Sequence, residues 1–237
     1  KVPRREWRGK SRGECVKRTG AIGWTGGVAG CLGVLGDSGA EGTVLDPPEQ
    51  DLSAASHRSC GDEMPDFTVP DPIAGEAVSV SGYEGERAVL WTSFYTNCPD
   101  GVCPALILRL RRAQAAAAER GYGDVSAFLA LTFDPERDTA DALSEYAGQQ
   151  GVDLDAGNWH FLRPESYEAG QELLDEQFGL AIEKAPADEY DDLEYQFPHY
   201  GLILLVNKRG IVERAYPNGP KVDIDGLVRD FEQVASE

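Results

Sequence analysis

Cys98 and Cys103 stand in the stretch Tyr95-Thr96-Asn97-Cys98-Pro99-Asp100-Gly101-Val102-Cys103-Pro104, directly after an apolar run and directly before a helical one. Two thiols this near each other at the start of a helix can exchange electrons as a dithiol/disulfide pair, or hold a soft metal ion as two thiolates. The helix N-terminus carries partial positive charge and unpaired N–H groups, and both favour thiolate over thiol. A lowered pKa is therefore expected for at least Cys103, and it would serve either chemistry. Thiol–disulfide enzymes usually carry Cys-x-x-Cys, whereas here Pro99, Asp100, Gly101 and Val102 intervene. The longer loop lets two sulfurs face one ion without forcing a bond between them, but it does not forbid that bond. On spacing alone both chemistries stay open.

The elements that must position these thiols can be read from pattern. Ala88–Tyr95 is apolar, β-branched and aromatic, and is expected to form a buried central strand. Residues 104–119 read as a helix, with Pro104 in its first turn and Gly121 at its end. Phe67–Val69 and Ala77–Val80 read as short strands, with Ser81-Gly82 as a turn, Ser126–Phe133 as a second buried strand, and Trp159–Leu162 as a short third. Helices are expected over Asp141–Gln149, Tyr167–Phe178 and Ile224–Val234, the last strongly amphipathic. Leu202–Asn207 and Ile211–Tyr216, joined at Arg209-Gly210, form a late hairpin. Strand–helix alternation implies an α/β domain with a mostly parallel core, and the late hairpin implies an antiparallel edge. The order resembles the thioredoxin-like fold with an added N-terminal β-hairpin, in which reactive cysteines sit where the first central strand turns into its helix. Trp91 belongs to the core of such a domain.

In that fold the loop entering the late hairpin packs against the cysteine loop. His199, in Gln196-Phe197-Pro198-His199-Tyr200-Gly201, lies on that loop and is expected to reach both sulfurs. Two thiolates and one imidazole suit Cu(I), and with a further weak ligand can hold Cu(II). His160, between Trp159 and Phe161, reads as structural, and His57 falls outside the folded part.

The chain of 237 residues carries 41 acidic against 22 basic residues, a formal net charge of −19. The bases crowd the start: Lys1, Arg4, Arg5, Arg8, Lys10, Arg12, Lys17 and Arg18 fall within the first eighteen residues, and only Lys184, Lys208 and Lys221 are lysines thereafter. The rest is more acidic still. A lysine-poor, acidic body lacks the basic patch that nucleic-acid binding needs. Its charges are spread along the chain and would repel one another at ordinary ionic strength. The pattern resembles proteins of salt-loving archaea.

The basic start is followed by an uncharged, Gly- and Ala-rich run from Thr19 to Gly36, too weakly apolar for a membrane-spanning helix. Val28-Ala29-Gly30-Cys31 resembles the lipobox of an exported lipoprotein, with Cys31 as the lipidated residue, and Arg4-Arg5 or Lys17-Arg18 could be the basic pair of a twin-arginine-type signal. Residues 1–30 are therefore expected to be an export signal. Residues 31–64, with Gly, Ser, Asp, Glu and Pro47-Pro48, read as a flexible tether, and Cys60 within them as an unpaired thiol. The folded domain is expected over 65–237.

Three pieces in order carry a family resemblance: Phe94-Tyr95-Thr96-Asn97-Cys98-Pro99 with Cys103-Pro104, then Asp134-Pro135-Glu136-Arg137-Asp138-Thr139, then His199 before Leu202–Asn207. Over roughly residues 65–236 the chain resembles the Sco/SenC family of membrane-anchored copper chaperones. The resemblance implies copper ligands at Cys98, Cys103 and His199. It also implies delivery of copper to the copper-accepting subunit of a terminal respiratory oxidase, at the extracytoplasmic face of the cell membrane. It equally permits a thiol–disulfide oxidoreductase acting on the oxidase's cysteines through Cys98 and Cys103. A peroxide reductase would need a Thr and an Arg around one cysteine, and no such motif is present. Two departures stand out. The family usually has three residues between the cysteines, so Gly101 is an insertion that its permissive backbone could absorb. Phe197-Pro198 replaces the aspartate more often found before the histidine. The Asp134–Thr139 segment is expected to cap the following helix through Asp138 or Thr139.

Overall fold

The computed structural model describes residues 42–237. The expected export signal and Cys31 lie outside the described residues. Strands β1 (Thr68–Asp71) and β2 (Glu76–Ser79) pair as the expected N-terminal hairpin. They are followed by β3 (Ala88–Phe94), α1 (Val102–Arg120), β4 (Ser126–Thr132), α2 (Ala140–Gln150), β5 (Trp159–Leu162) and α3 (Tyr167–Phe178). The two-residue strands β6 (Ala185–Pro186) and β7 (Tyr195–Gln196) then pair with each other, before β8 (Ile203–Val206), β9 (Val212–Tyr216) and α4 (Ile224–Ala235).

The central sheet has the order β5-β4-β3-β8-β9, with β3, β4 and β5 parallel and β8 and β9 antiparallel. Every residue of β3 and β4 is buried, which explains why both read as unbroken apolar runs: helices cover both faces. On one face Phe94 stacks on Tyr146 of α2, and Phe128 packs on Phe231 of α4. Strand alternation turns Trp91 to the opposite face, where it lies flat on Phe178 of α3 at 4.1 Å. The sheet order, the helices on both faces and the two hairpins make the domain an α/β thioredoxin-like fold.

Capping fixes where the helices begin. Thr139 Oγ1 accepts the Ala142 N–H, Ser166 the Ala169 N–H, and Asp223 the Gly226 N–H. Of the two candidates before α2, Thr139 is the cap, and Asp138 turns inward instead.

The tether expectation is corrected for residues 42 onward. The Val44 and Leu45 N–H groups donate to the buried Glu213 carboxylate at 2.7 and 3.0 Å. Gly61 N–H donates to Val212 O, Val212 N–H to Asp62 O, and Met64 N–H to Gly210 O. Leu45, His57, Ser59, Cys60 and Met64 are buried. The segment covers the free edge of β9, so its backbone groups are paired and its few apolar side chains fill the end of the core. Cys60 is not a free thiol but is disulfide-bonded. The Gly, Ser, Asp and Pro content that suggested mobility instead serves the bends of a packed strap. Among the described residues no helix is long and apolar enough to cross a membrane.

Candidate metal centre

The loop between β3 and α1 carries Cys98, and the first turn of α1 carries Cys103. Gly101 sits between them at φ +77°, a left-handed backbone that a side chain would strain. The inserted residue is thus absorbed by the bend that starts the helix. The third element is the segment after β7, which brings His199 over the same helix end. Its approach depends on Gly201, where a Cβ would lie 2.7 Å from Pro220 Cδ and 3.3 Å from Val102 Cγ1.

The three side chains meet. The Cys98, Cys103 and His199 ligand atoms all lie within 4.8 Å of one another. His199 Nε2 is 3.3 Å from Cys103 Sγ, and Nδ1 is 2.8 Å from Phe197 O. A carbonyl can only accept, so Nδ1 carries the proton and Nε2 presents its lone pair to the sulfurs. This tautomer is the one a metal ligand needs, fixed by an outer partner. The Phe197 main-chain carbonyl therefore supplies what a side-chain carboxylate would. Tyr95, Phe133 and Phe197 wall the imidazole, with ring centroids of Tyr95 and Phe133 at 5.5 and 5.4 Å from it.

Electrostatics divides the two cysteines, and against expectation. Cys103 is the one inside the helix, but it is fully buried, and burial pushes its thiol well above the usual range. Cys98 is the lowered one, at about 6. The hydrogen bond from the Cys103 thiol is the main cause. The His199 ring and the Cys103 N–H, 3.3 Å from the sulfur, add to it, against burial and the neighbouring Asp100 carboxylate. The helix N-terminus thus acts on the cysteine in front of it, which its N–H groups face, rather than on the one within it. Asp100 Oδ1 lies 2.9 Å from Cys98 Sγ and accepts the Val102 N–H at 3.0 Å. Burial of the His199 ring works against its protonation, but the Cys98 sulfur, Phe197 O and Asp100 outweigh it, and its pKa is raised.

Of the other sequence candidates, His160 on β5 hydrogen-bonds Asp71 at 3.0 Å and takes no part in the cluster. His57 is buried and its ring stacks on Tyr200, the neighbour of His199, at 5.8 Å. The Asp134–Thr139 segment does more than cap. Asp138 is fully buried, bound to Thr96 in the cysteine loop and to Thr132 at the end of β4. Its burial raises its pKa to about 6, against the hydrogen bonds from Thr132 and Thr96. The sequence signalled the segment as a piece of the family resemblance and as a helix cap, but gave no sign of its bond to the cysteine loop.

Two compact thiols and an imidazole, half-shielded from water, form a soft donor set with room for one small ion. Comparison with known proteins agrees with this geometry. Residues 56–235 match the SCO1/SenC family model. A SCO1/SenC family lipoprotein from Bacillus anthracis superposes with a TM-score of 0.60 at 20% identity, covering 73% of this chain and 95% of that one. BsSco, described as a member of the Sco family of cytochrome c oxidase assembly proteins with a disulfide switch, gives 0.57 at 22% identity, covering 76% and 96%. Bradyrhizobium japonicum ScoI with copper bound gives 0.56 at 22%, covering 73% and 99%. A search of curated proteins finds no match. With the family model spanning most of the sequence and the described residues sharing the fold of these structures, the chain belongs to the SCO1/SenC family.

Proposed function

We propose that this protein binds copper through Cys98, Cys103 and His199 and hands it on during assembly of the copper centre of a terminal respiratory oxidase. The observation that carries this reading is the histidine. Its Nδ1–H is committed to Phe197 O, and its free Nε2 faces the cysteine pair at 3.3 Å from one sulfur. Thiol redox chemistry needs a lowered thiol, to which this ring is one contributor beside the Cys103 thiol and N–H, whereas a three-ligand site needs the ring itself. Copper here is cargo, so its site must release it as well as hold it. Cys103 is fully buried, whereas Cys98 is partly exposed. An incoming ligand would displace Cys98 first and leave Cys103 and His199 to hold the ion until the partner's second ligand arrives. Bradyrhizobium japonicum ScoI is described with copper bound, and BsSco as one of a family of cytochrome c oxidase assembly proteins. Both support the assignment of cargo and destination. Anchoring at the extracytoplasmic membrane face through a lipid on Cys31 completes the proposal and requires that thiol to be outside the disulfide of Cys60; acyl analysis of the mature protein together with disulfide mapping tests that part.

The asymmetry of the two thiols supports a second reading. A lowered, accessible Cys98 beside a buried Cys103 is a nucleophile beside a resolving thiol. A thiol–disulfide oxidoreductase acting on the oxidase's cysteines would use this pair, with His199 contributing only to the lowered pKa of Cys98. Copper titration of the reduced protein beside His199→Ala and Cys98→Ser separates the two. One equivalent held by the parent and lost by both variants, with the Cys98–Cys103 disulfide still forming in His199→Ala, is the expected result. Equal binding by all three proteins overturns the copper reading.

A further inference from the structure

The two cysteines and the histidine come from loops far apart in sequence, and neither loop alone fixes the distance between them. One short segment touches both. Asp138 reaches the cysteine loop: its carboxylate accepts the Thr96 N–H at 3.2 and 3.3 Å and the Thr96 hydroxyl, two residues before Cys98. Its neighbour Arg137 reaches the histidine loop. Arg137 Nη1 donates to Tyr195 O at 3.1 Å, four residues before His199, and its guanidinium lies on the Tyr195 ring at 3.9 Å. The same guanidinium is 5.8 Å from the centroid of Tyr95, which edges onto the imidazole.

The segment itself is rigidly held. Arg137 is paired with the fully buried Asp134, whose other oxygen accepts the Tyr195 hydroxyl at 2.9 Å. Asp138 also accepts from Thr132, Thr132 Oγ1 accepts the Asp134 N–H at 3.1 Å, and Arg163 grips Pro135 O from 2.7 Å. A planar, bidentate-capable Arg and a multiply bonded carboxylate are geometric restraints rather than loose charges.

We infer that Arg137 and Asp138 form a clamp that sets the separation of the ligands: Asp138 positions Cys98 through Thr96, and Arg137 positions His199 through Tyr195. The inference rests on the copper reading for its consequence, but the clamp itself is a property of the metal-free protein. Residues that orient metal ligands from behind typically change affinity by about 10–100-fold when replaced. The two arms should act through different ligands, and that is what a merely structural role would not produce.

The test uses the full chain, with Cu(I) dissociation constants from competition with a chelator. Asp138→Asn and Arg137→Gln are each measured in the otherwise parental protein, since Cys98→Ser and His199→Ala are themselves expected to lose the copper. Each single variant is expected to lose roughly 10–100-fold in affinity. In the metal-free protein Asp138→Asn should move the alkylation rate of Cys98 and leave the NMR signals of the His199 ring in place, and Arg137→Gln should do the reverse. Tyr216→Phe, which removes a 2.7 Å bond to Asp230, serves as a control for general destabilisation. In the metal-free protein, Asp138→Asn should change the alkylation rate of Cys98 more than Tyr216→Phe does. Affinities within about twofold of the parent, or losses no larger than the control's at equal destabilisation, overturn the clamp. Should the parent hold no copper, the copper reading falls, and the alkylation rates alone decide the clamp.

Discussion

At the scale of residues the centre is a division of labour between two thiols of unlike environment. Cys98 titrates at about 6, so its alkylation rate in the reduced protein should climb to a plateau as pH rises through that value. Below it the thiol is protonated and slow. Cys103, buried and raised, should stay unmodified throughout. Preferential labelling of Cys103, or a Cys98 midpoint near the unperturbed 9.0, would contradict the assignment. The same asymmetry sets the proton balance of copper uptake. Cys98 is already largely a thiolate at neutral pH, so the protons released on binding come from the buried, raised Cys103 and from the His199 ring, whose pKa is also raised. Copper affinity should therefore weaken steadily on acidification, measurable by titration in weak buffer. That residues 98, 103 and 199 meet was legible in the sequence once the strand–loop–helix order and the late hairpin were read as a thioredoxin-like fold. Which cysteine is activated was not legible. That depends on burial at 103 and on which sulfur the helix N–H groups face, and both are properties of packing.

Among the elements, the long ones announced themselves. Strands β3 and β4 are unbroken apolar runs because helices cover both faces, and α4 buries Leu227, Val228, Phe231, Val234 and Ala235 along one stripe. The start of α2 followed from its cap, and Thr139→Ala should cost about 1 kcal/mol in urea unfolding, with copper binding unchanged. The strap over residues 42–64 was hidden because its hold is not in its own sequence. Its partner is Glu213, a buried acid on β9 that accepts the Val44 and Leu45 N–H groups and Asn207 Nδ2. Glu213→Ala should destabilise the protein by about 3 kcal/mol. It should also open residues 42–55 to proteolysis, read by mass spectrometry of the first fragments. Resistance equal to the parent's would mean the strap is held by other contacts. The β6–β7 pair also escaped the sequence, since two-residue strands carry no period.

For the molecule as a whole, charge is the dominant feature. A net charge of −19 with few lysines should make the fold repel itself in dilute salt. Raising KCl from about 0.1 M to about 1 M shortens the screening length from roughly 10 Å to roughly 3 Å. The unfolding temperature is expected to rise markedly over that range, followed by circular dichroism. A flat or falling midpoint would show that the acidic surface is already well accommodated, and would remove the likeness to salt-adapted proteins. Within this field Cys98 is the partly exposed member of the cluster, and the Asp100 carboxylate lies 2.9 Å from its sulfur.

X-ray absorption at the copper edge of the Cu(I)-loaded protein tests the central claim most directly. Two sulfur scatterers and one imidazole nitrogen are expected, the nitrogen vanishing in His199→Ala. A shell of two sulfurs alone, identical in parent and variant, would contradict it.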